Sequence, residues 1–345
     1  MSGMPDLLVL TYDVEKPSFR YRIAPLLDEL RARGWQLRVE TIRQREYGLR
    51  IWRLRTALRD ADVLLLHKLR LHPLESRWVA ACNSRTVFDI DDVTWLSQPL
   101  SVEAAPEPSA SRLRAFEGMC RSSRLTLAGS PYLAARAEQA GGRVQIVPTA
   151  VDVGAFAPAD FSRRGGGVVV WIGLPGNLQY LEPLRPIFAA LTRRHAHFRL
   201  RIVSSRFPEW GDVAMDKVTW QPGIETLVLP DADVGLMPLN DDEFTRGKCA
   251  FKLLQYMAAS LPCVASPVGV NTDVVSEGVT GMLAAHPEDW LNALDDLLVD
   301  RGLRERMGRS GRERVQAGYD LRAVLPRAAG LIEQVAAAAG AAPAA

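Results

Sequence analysis

The sequence predicts an α/β protein in which two Rossmann-like, doubly wound parallel-sheet domains face each other across a cleft. Short, nearly continuous apolar segments alternate with amphipathic helical segments, which is the pattern of parallel sheets covered by helices on both faces. This alternation stops once, at the arginine- and glycine-containing segment 156–167, and then restarts, as expected of a linker between domains. The length of 345 residues suits two domains of about 150 residues each.

The first half of the chain contains the elements of one such domain. Ile23, Leu26, Leu27 and Leu30 repeat with the period of an amphipathic helix, and Gly34 is typical of a helix end. Further helices are expected near 48–59, from Pro73, at 111–121 and from Pro131, and strands at 7–12, 36–41, 63–66, 86–90, 125–128 and 144–147. Because parallel crossovers are right-handed, these units favour a doubly wound sheet.

The pattern that restarts after segment 156–167 defines a second domain. Strands are expected at 168–172, 199–203, 218–220, 234–237 and 263–265, and helices at 183–194, 252–259, 290–298, 303–316 and 321–337. We therefore predict domains at 1–157 and 166–318, a C-terminal helix at 319–338, and a disordered Ala/Gly/Pro tail at 339–345. Ligands of doubly wound sheets bind beyond the carboxyl ends of the strands, so the cleft is the expected site.

Composition and charge argue against several other classes of protein. A net charge of +2 does not indicate a nucleic-acid partner. The four cysteines form no C-x-x-C pair and the five histidines are scattered, so neither a zinc ribbon nor a histidine metal site is expected. Metal binding by the carboxylates of segment 89–92 is the less favoured alternative to their pairing with an arginine or an acceptor. No apolar run reaches the roughly 18 residues of a membrane span, and no secretory signal is visible before the first strand. A cytoplasmic protein with no metal and no organic cofactor is expected.

The most informative segment is 241–269, which follows a predicted strand at the carboxyl edge of the second sheet. Arg246, Lys248 and Lys252 place cations where a loop enters a helix. Free backbone N–H groups and the helix dipole favour an anion at such a position, and a diphosphate fits it. Gln255, one turn further along the helix, is suited to hydrogen bonds with ribose hydroxyls. A solvated group of cations at a helix start is the alternative.

Motifs spread over most of the chain form a recognisable set. They are PTAVD at 148–152, YMA at 256–258, LPCVAS at 261–266 with Gly269, GVTG at 278–281, the glycine-containing helix at 301–314, and YDL at 319–321. This set resembles the motifs of retaining GT-B glycosyltransferases of family 4, the large group of sucrose-synthase- and mannosyltransferase-like enzymes. The resemblance implies a nucleoside diphosphate sugar donor bound mainly by the second domain. It also implies a final helix that crosses back onto the first, acceptor-side domain.

The chain departs from the signature of this family, which is an acidic residue followed, after seven residues, by a glutamate on a helix. Gln255 stands in place of the glutamate, and Gly247 stands in place of the first acidic residue. A carboxylate of the adjoining loop, from Asp242 or Glu243, is a candidate substitute. The candidate catalytic residues are therefore Glu243, Arg246 and Lys248.

The loop at 173–177, after the first strand of the second domain, lacks the Arg or Lys that many family members carry there. The cations of segment 241–269 would then have to neutralise the charge of a diphosphate. The glycines of the loop would let a phosphate or a sugar approach the backbone, although tight strand-to-helix turns use the same residues. Asn177 is either a ligand contact or a helix N-cap. The candidate donor-binding residues are Gly173, Gly176, Asn177, Lys252 and Gln255.

Polar residues at three strand ends of the first domain would face the same cleft. Arg20 and Arg22 follow the first strand, where an R-x-R pattern resembles a subgroup of the family; the alternative is a helix start with exposed arginines. His67 ends the third strand and is either a cleft residue or a structural one. The acidic segment 89–92 ends the fourth strand, where its carboxylates repel each other unless an arginine or an acceptor hydroxyl pairs with them. The candidate acceptor-side residues are Arg20, Arg22, His67 and Asp92.

The helical segment at 48–59 is basic as well as amphipathic. It carries Arg50, Arg53, Arg55 and Arg59 beside apolar residues that include Trp52. Basic amphipathic helices lie on anionic membrane surfaces. Peripheral contact with the inner membrane surface is therefore one interpretation, and a packed helix with a solvated basic face is the other.

These observations favour a metal-independent glycosyltransferase that moves a sugar from a nucleoside diphosphate sugar to an unidentified acceptor, whether glycan, lipid or small molecule. The missing signature acid leaves a non-catalytic protein that binds a sugar nucleotide or a glycan as an alternative. A dinucleotide oxidoreductase is a third interpretation, but the chain has no G-x-G-x-x-G segment after the first strand of either domain.

Overall fold

A computed structural model describes residues 4–43, 46–97, 106–163 and 167–338. The first sheet has six strands, β1 (Asp6–Thr11), β2 (Gln36–Thr41), β3 (Val63–His67), β4 (Thr86–Ile90), β5 (Leu125–Ala128) and β6 (Val144–Ile146). They are parallel and lie in the order β2-β1-β3-β4-β5-β6. The helices of this half are α1 (Ala24–Ala32), α2 (Tyr47–Arg53), α3 (Arg55–Asp60), α4 (Pro73–Cys82), α5 (Ala110–Ser122) and α6 (Pro131–Gln139).

The second sheet also has six parallel strands, β7 (Val168–Ile172), β8 (Arg199–Ser204), β9 (Met215–Thr219), β10 (Val234–Met237), β11 (Cys263–Ala265) and β12 (Gly281–Leu283). Their order, β12-β11-β10-β7-β8-β9, is that of Rossmann dinucleotide-binding domains. The helices are α7 (Arg185–Arg194), α8 (Glu225–Val228), α9 (Glu243–Arg246), α10 (Phe251–Ala258), α11 (Asn271–Val274), α12 (Pro287–Val299), α13 (Arg301–Gly318) and α14 (Leu321–Ala337). The prediction of two doubly wound parallel sheets is confirmed.

Two predicted helices differ from the observed ones. The basic segment at 48–59 forms two short helices, α2 and α3, which meet at Leu54. The helix predicted from residue 183 begins at Arg185 and follows a 3₁₀-helical segment, Pro175–Leu184. Proline has no N–H to donate, so the α-helix begins where Pro186 occupies its first turn and Pro183 is left in the 3₁₀ segment.

The last helix, α14, returns to the first sheet, as the family resemblance implies. Its buried residues Val324, Ala328 and Ile332 belong to the same apolar cluster as Leu7 and Val9 of β1. Burial of this face removes apolar surface from water and attaches the end of the chain to the first domain. None of the helices in the described residues is both long enough and apolar enough to cross a bilayer. The tail at 339–345, predicted to be disordered, lies outside the described residues.

Two chain segments run side by side where they pass between the sheets. The Val151 N–H donates to the Tyr319 carbonyl at 2.9 Å, and the Leu321 N–H donates to the Val151 carbonyl at 3.1 Å. The carboxylate of Asp320 also accepts from the Val153 N–H at 3.2 Å. The two connections are therefore hydrogen-bonded to each other along their length.

Candidate functional site

The start of helix α10 is the centre of the candidate site. The polar loop after β10 contains α9, where the Asp242 carboxylate accepts from the Thr245 N–H at 2.8 Å in an N-terminal cap. The loop then reaches Ala250, whose φ of 50° is in the left-handed region. Such strain in a residue other than glycine is typical of functional sites. Beyond it, α10 buries Leu253 and Leu254 against the sheet and directs its first turn toward the carboxyl edge.

Lys252 extends from the first turn of α10 to the loop after β7. Its Nζ lies 4.7 Å from the centroid of the Trp171 ring. A Cβ atom at Gly173 would lie 3.1 Å from that Nζ and 2.4 Å from the Trp171 ring, so only glycine leaves this space open. Lys252 therefore supplies a cation to a loop whose own sequence has none.

The ammonium group of Lys252 is held in an unfavourable environment. Burial, and then the nearby charge of Lys248, lower its pKa from 10.5 to about 7. The Lys248 Nζ lies 4.9 Å from the Phe244 ring and 5.9 Å from the Tyr180 ring. Within the described residues, neither lysine forms an ion pair with a carboxylate. A pair of neighbouring lysines without a carboxylate partner favours the binding of an anion between them.

Arg246 and Glu243 make other contacts. The Arg246 Nε and Nη2 donate to the two carboxylate oxygens of Asp241 at 2.6 and 3.0 Å, at a half-exposed position. The Glu243 Oε1 accepts from the Trp95 Nε1 at 2.9 Å and lies 3.3 Å from the Arg136 Nη2. Glu243 thus joins the second domain to the first. The structure does not group either residue with the lysines, and their catalytic roles stay predictions.

The other predicted donor residues lie on α10 and on the segment that follows β7. Gln255 is buried on α10, three residues after Lys252. Gly176 and Asn177 lie within the 3₁₀ segment that follows β7. The alternative that Asn177 is an N-cap is wrong, because Leu174 occupies that position without a side-chain cap.

Gly247 stands where the family signature has its first acidic residue, and it lies against the first domain. A Cβ atom at Gly247 would lie 2.2 Å from a methyl carbon of Val93 in the first domain. Two residues further on, the Cys249 thiol donates to the Asp91 carbonyl at 3.1 Å. The two domains meet here so closely that a glutamate or aspartate side chain has no room.

The first domain contributes a buried network at the carboxyl ends of β1, β3 and β4. The Arg22 Nε donates to Asp89 at 2.9 Å and its Nη1 donates to the Val147 carbonyl at 2.7 Å. The His67 Nδ1 lies 3.1 Å from the same carboxylate, and its Nε2 lies 3.3 Å from the Ser18 hydroxyl. Burial raises the pKa of Asp89, but Arg22 and His67 outweigh it and lower that pKa to about 2. Arg22 is 6% exposed, so the alternative of an exposed arginine is wrong for this residue.

The remaining acceptor-side residues lie closer to solvent. The Arg20 guanidinium lies 5.5 Å from the ring of Trp220 in the second domain. The Lys68 Nζ lies 2.9 Å from the Asp91 carboxylate and 3.8 Å from that of Asp92. Sequence reasoning did not identify Lys68 as the partner of these acids, although it follows His67 directly at the end of β3.

Part of the chain matches a family model. Residues 168–300 match the model described as "Glycosyl transferases group 1". The D-inositol 3-phosphate glycosyltransferase of Actinosynnema mirum is 30% identical over 195 residues, which cover 48% of this chain and 46% of that protein. This chain spans about half or less of the length of the curated relatives that it matches.

Solved structures share the complete architecture. Sucrose-phosphate synthase from Thermosynechococcus elongatus superposes with a TM-score of 0.75 at 16% identity, covering 97% of this chain and 100% of that one. HepE from Anabaena, solved in complex with UDP-glucose, has a TM-score of 0.71 at 15% identity, covering 95% and 99%. The fold is therefore GT-B, and the resemblance to GT-B glycosyltransferases predicted from the motifs is confirmed.

Proposed function

We propose that this chain transfers a sugar from a nucleoside diphosphate sugar to an acceptor hydroxyl, in the manner of family 4, with retention of configuration and without a metal ion. The observation that carries this proposal is the pair of lysines at the start of α10, which have no carboxylate partner in the described part of the chain. The diphosphate would fill the space beside Gly173 and neutralise both ammonium groups. HepE, which shares the fold, binds UDP-glucose, so a uridine donor is the first to test.

Charge on the leaving diphosphate is the main electrostatic problem of this reaction. Lys252 and Lys248 would offset that charge, and the dipole of α10 adds to their effect. Because these groups are fixed before the donor binds, little reorganisation is needed when the glycosidic bond breaks. Gln255 would position the ribose, and Gly176 and Asn177 would border the donor.

The first domain would form the acceptor side of the cleft, through Arg20, Arg22, His67 and Asp92. The Arg22–Asp89–His67 network gives this wall a fixed shape, because buried hydrogen bonds join Asp89 to both Arg22 and His67. Contact between the domains at Gly247 and Cys249 would exclude water and so limit hydrolysis of the donor.

Donor binding can be tested with UDP-glucose, UDP-N-acetylglucosamine and GDP-mannose, and with UDP and GDP, by isothermal titration and thermal shift. At least one nucleotide sugar is expected to raise the melting temperature, because it binds only the folded chain. Its binding should take up a proton near pH 8, since a bound diphosphate raises the lowered pKa of Lys252. Titration in buffers of different ionisation enthalpy measures that uptake. Absence of binding by every compound would refute the proposal.

The absence of room for an acid at Gly247 favours a second candidate, a non-catalytic protein that binds a sugar nucleotide. The two candidates predict the same donor binding but different chemistry. Release of free UDP or GDP over time, with or without added acceptors, indicates the enzyme. Binding without any turnover across a broad acceptor panel indicates the non-catalytic protein.

We also propose that the first domain contacts the cytoplasmic face of a membrane through α2 and α3. Leu49 and Trp52 are 62% and 54% exposed, and the Arg55 guanidinium lies 4.4 Å from the Trp52 ring. Arg53 and Arg59 are exposed on the same two helices. An exposed aromatic ring among arginines suits the interface of an anionic bilayer.

Vesicle sedimentation tests this contact. The protein is expected to pellet with vesicles of phosphatidylglycerol and phosphatidylcholine, and less so as salt concentration rises, because the attraction is electrostatic. Arg53→Glu with Arg55→Glu should abolish pelleting, whereas Arg193→Glu, an exposed arginine of the second domain, should leave it intact. Equal binding by neutral vesicles, or by both variants, would contradict the proposal.

A further inference from the structure

Tyr180 is a buried tyrosine whose hydroxyl has no partner. It lies in the 3₁₀ segment Pro175–Leu184, directly after the Gly173 loop, and is 4% exposed. Its ring packs in the apolar cluster that contains Ile172 and Met237. Its hydroxyl oxygen is buried, and the described residues offer it no hydrogen bond. A buried polar group is normally satisfied, so this hydroxyl requires an explanation.

The same domain contains a tyrosine that shows the usual arrangement. Tyr256 on α10 is fully buried, and its hydroxyl accepts a hydrogen bond from the Ile172 N–H at 3.1 Å. Tyr180 and Tyr256 therefore belong to one apolar core, but only the Tyr256 hydroxyl has a hydrogen-bond partner among the described residues. Because the segment that carries Tyr180 follows the carboxyl end of β7, this residue lies on the side of the candidate site.

Charged groups of both domains surround Tyr180. The Lys248 Nζ lies 5.9 Å from its ring centroid. Burial raises the pKa of Tyr180, and the carboxylates of Asp242 and Asp92 raise it further. Asp242 belongs to the second domain and Asp92 to the first, so the hydroxyl lies within the electrostatic influence of both domains. It stays protonated over the physiological range and is available as a donor.

We propose that Tyr180 is a sugar-binding residue, whose hydroxyl donates a hydrogen bond to a hydroxyl group of the sugar carried by the nucleotide donor. This inference rests on the proposed function and adds a residue to its site. The two carboxylates disfavour a phosphate at this position but accept hydrogen bonds from sugar hydroxyls. A sugar hydroxyl at this position would thus give the Tyr180 hydroxyl the partner that it lacks among the described residues. The diphosphate is left to Lys248 and Lys252.

Tyr180→Phe removes the hydroxyl and keeps the ring that fills the core. Without ligand, the variant is expected to melt at the wild-type temperature or above it, because the lost group has no partner to leave unsatisfied. The matched control, Tyr256→Phe, leaves the Ile172 N–H without its acceptor and is expected to melt at a lower temperature. If the melting temperature of Tyr180→Phe falls as far as that of Tyr256→Phe, the Tyr180 hydroxyl has a structural role, and the inference is overturned.

Titration with the tightest-binding donor of UDP-glucose, UDP-N-acetylglucosamine and GDP-mannose, and with its parent UDP or GDP, is the decisive test. Tyr180→Phe is expected to lower the affinity for the sugar nucleotide about tenfold, as for the loss of one hydrogen bond. Its affinity for the parent nucleotide should stay within about twofold of the wild-type value. An unchanged affinity for the sugar nucleotide, or an equal loss of affinity for the sugar nucleotide and its parent nucleotide, would overturn this inference but not the proposed function. Failure of the wild type to bind any of these compounds would overturn the proposed function as well.

Discussion

Replacement of Lys252 by methionine is expected to lower the kcat/KM of sugar transfer about 100- to 1000-fold, the usual cost of removing one fixed group that stabilises transition-state charge. Methionine keeps the length and the apolar stem of the side chain beside Trp171, but has no charge to offer a leaving diphosphate. Steady-state kinetics with the tightest-binding donor measure the change. Lys217→Met is the control, because Lys217 is an exposed residue of β9 paired with Glu209, and it should retain wild-type activity. Activity of Lys252→Met within about threefold of the wild type would be incompatible with the proposed donor site.

The same variant should alter the pH dependence of stability. The folded pKa of Lys252, about 7, lies below the ordinary value of 10.5, so between these values the unfolded chain binds more protons than the folded one. Stability due to this residue therefore rises with pH over that range. The wild type should gain stability relative to Lys252→Met between pH 7 and pH 9 in urea titrations. A constant difference over this interval would show that the pKa of Lys252 is not lowered in the folded chain.

Arg22→Met is expected to give the largest loss of stability, about 3–5 kcal/mol, because it leaves the Asp89 carboxylate buried without its main partner. The Val147 carbonyl also loses a donor. Urea denaturation measures the loss. The control is Arg31→Met, whose pair with Asp28 is exposed by 62% and 75% on the two sides, and such pairs contribute at most about 1 kcal/mol. A similar loss of stability in both variants would show that burial of the ion pair does not determine how much stability its removal costs.

Acid should reduce the difference between the wild type and Arg22→Met. The pKa of Asp89 is lowered from 3.8 to about 2, so its stabilising effect is fully present above about pH 4. That effect is lost as pH falls through 2, where the carboxyl is protonated in both the folded and the unfolded chain. The difference in free energy of unfolding should therefore be larger at pH 7 than near pH 2.

The sheets could be predicted from the sequence because their strands are buried on both faces. The strands at 168–172 and 263–265 were predicted with the bounds that the structure has, since a continuous apolar run between turn residues has few alternatives. The break of segment 48–59 at Leu54 carries no proline or glycine at that point, so no local signal marked it.

The candidate site could be predicted only where its chemistry is local. Lys248 and Lys252 lie within one turn of a helix start, so spacing alone placed them together. Pairs such as Arg22–Asp89 and Trp95–Glu243 join residues 67 and 148 positions apart, and only the fold brings them into contact. Tyr180 was missed for the same reason, since an unsatisfied hydroxyl is a property of its surroundings and not of its sequence.

The paired crossings at Val151 and Leu321 restrict how the molecule can open. A single tether would let one half twist and slide freely against the other. We expect two backbone segments that are hydrogen-bonded to each other beside Asp320 to act instead as one hinge. Opening of the cleft would then proceed as a rotation about this hinge, which moves the tips of the cleft far more than its base. The start of α10 and the ends of β3 and β4 would consequently return to the same relative position each time the cleft closes.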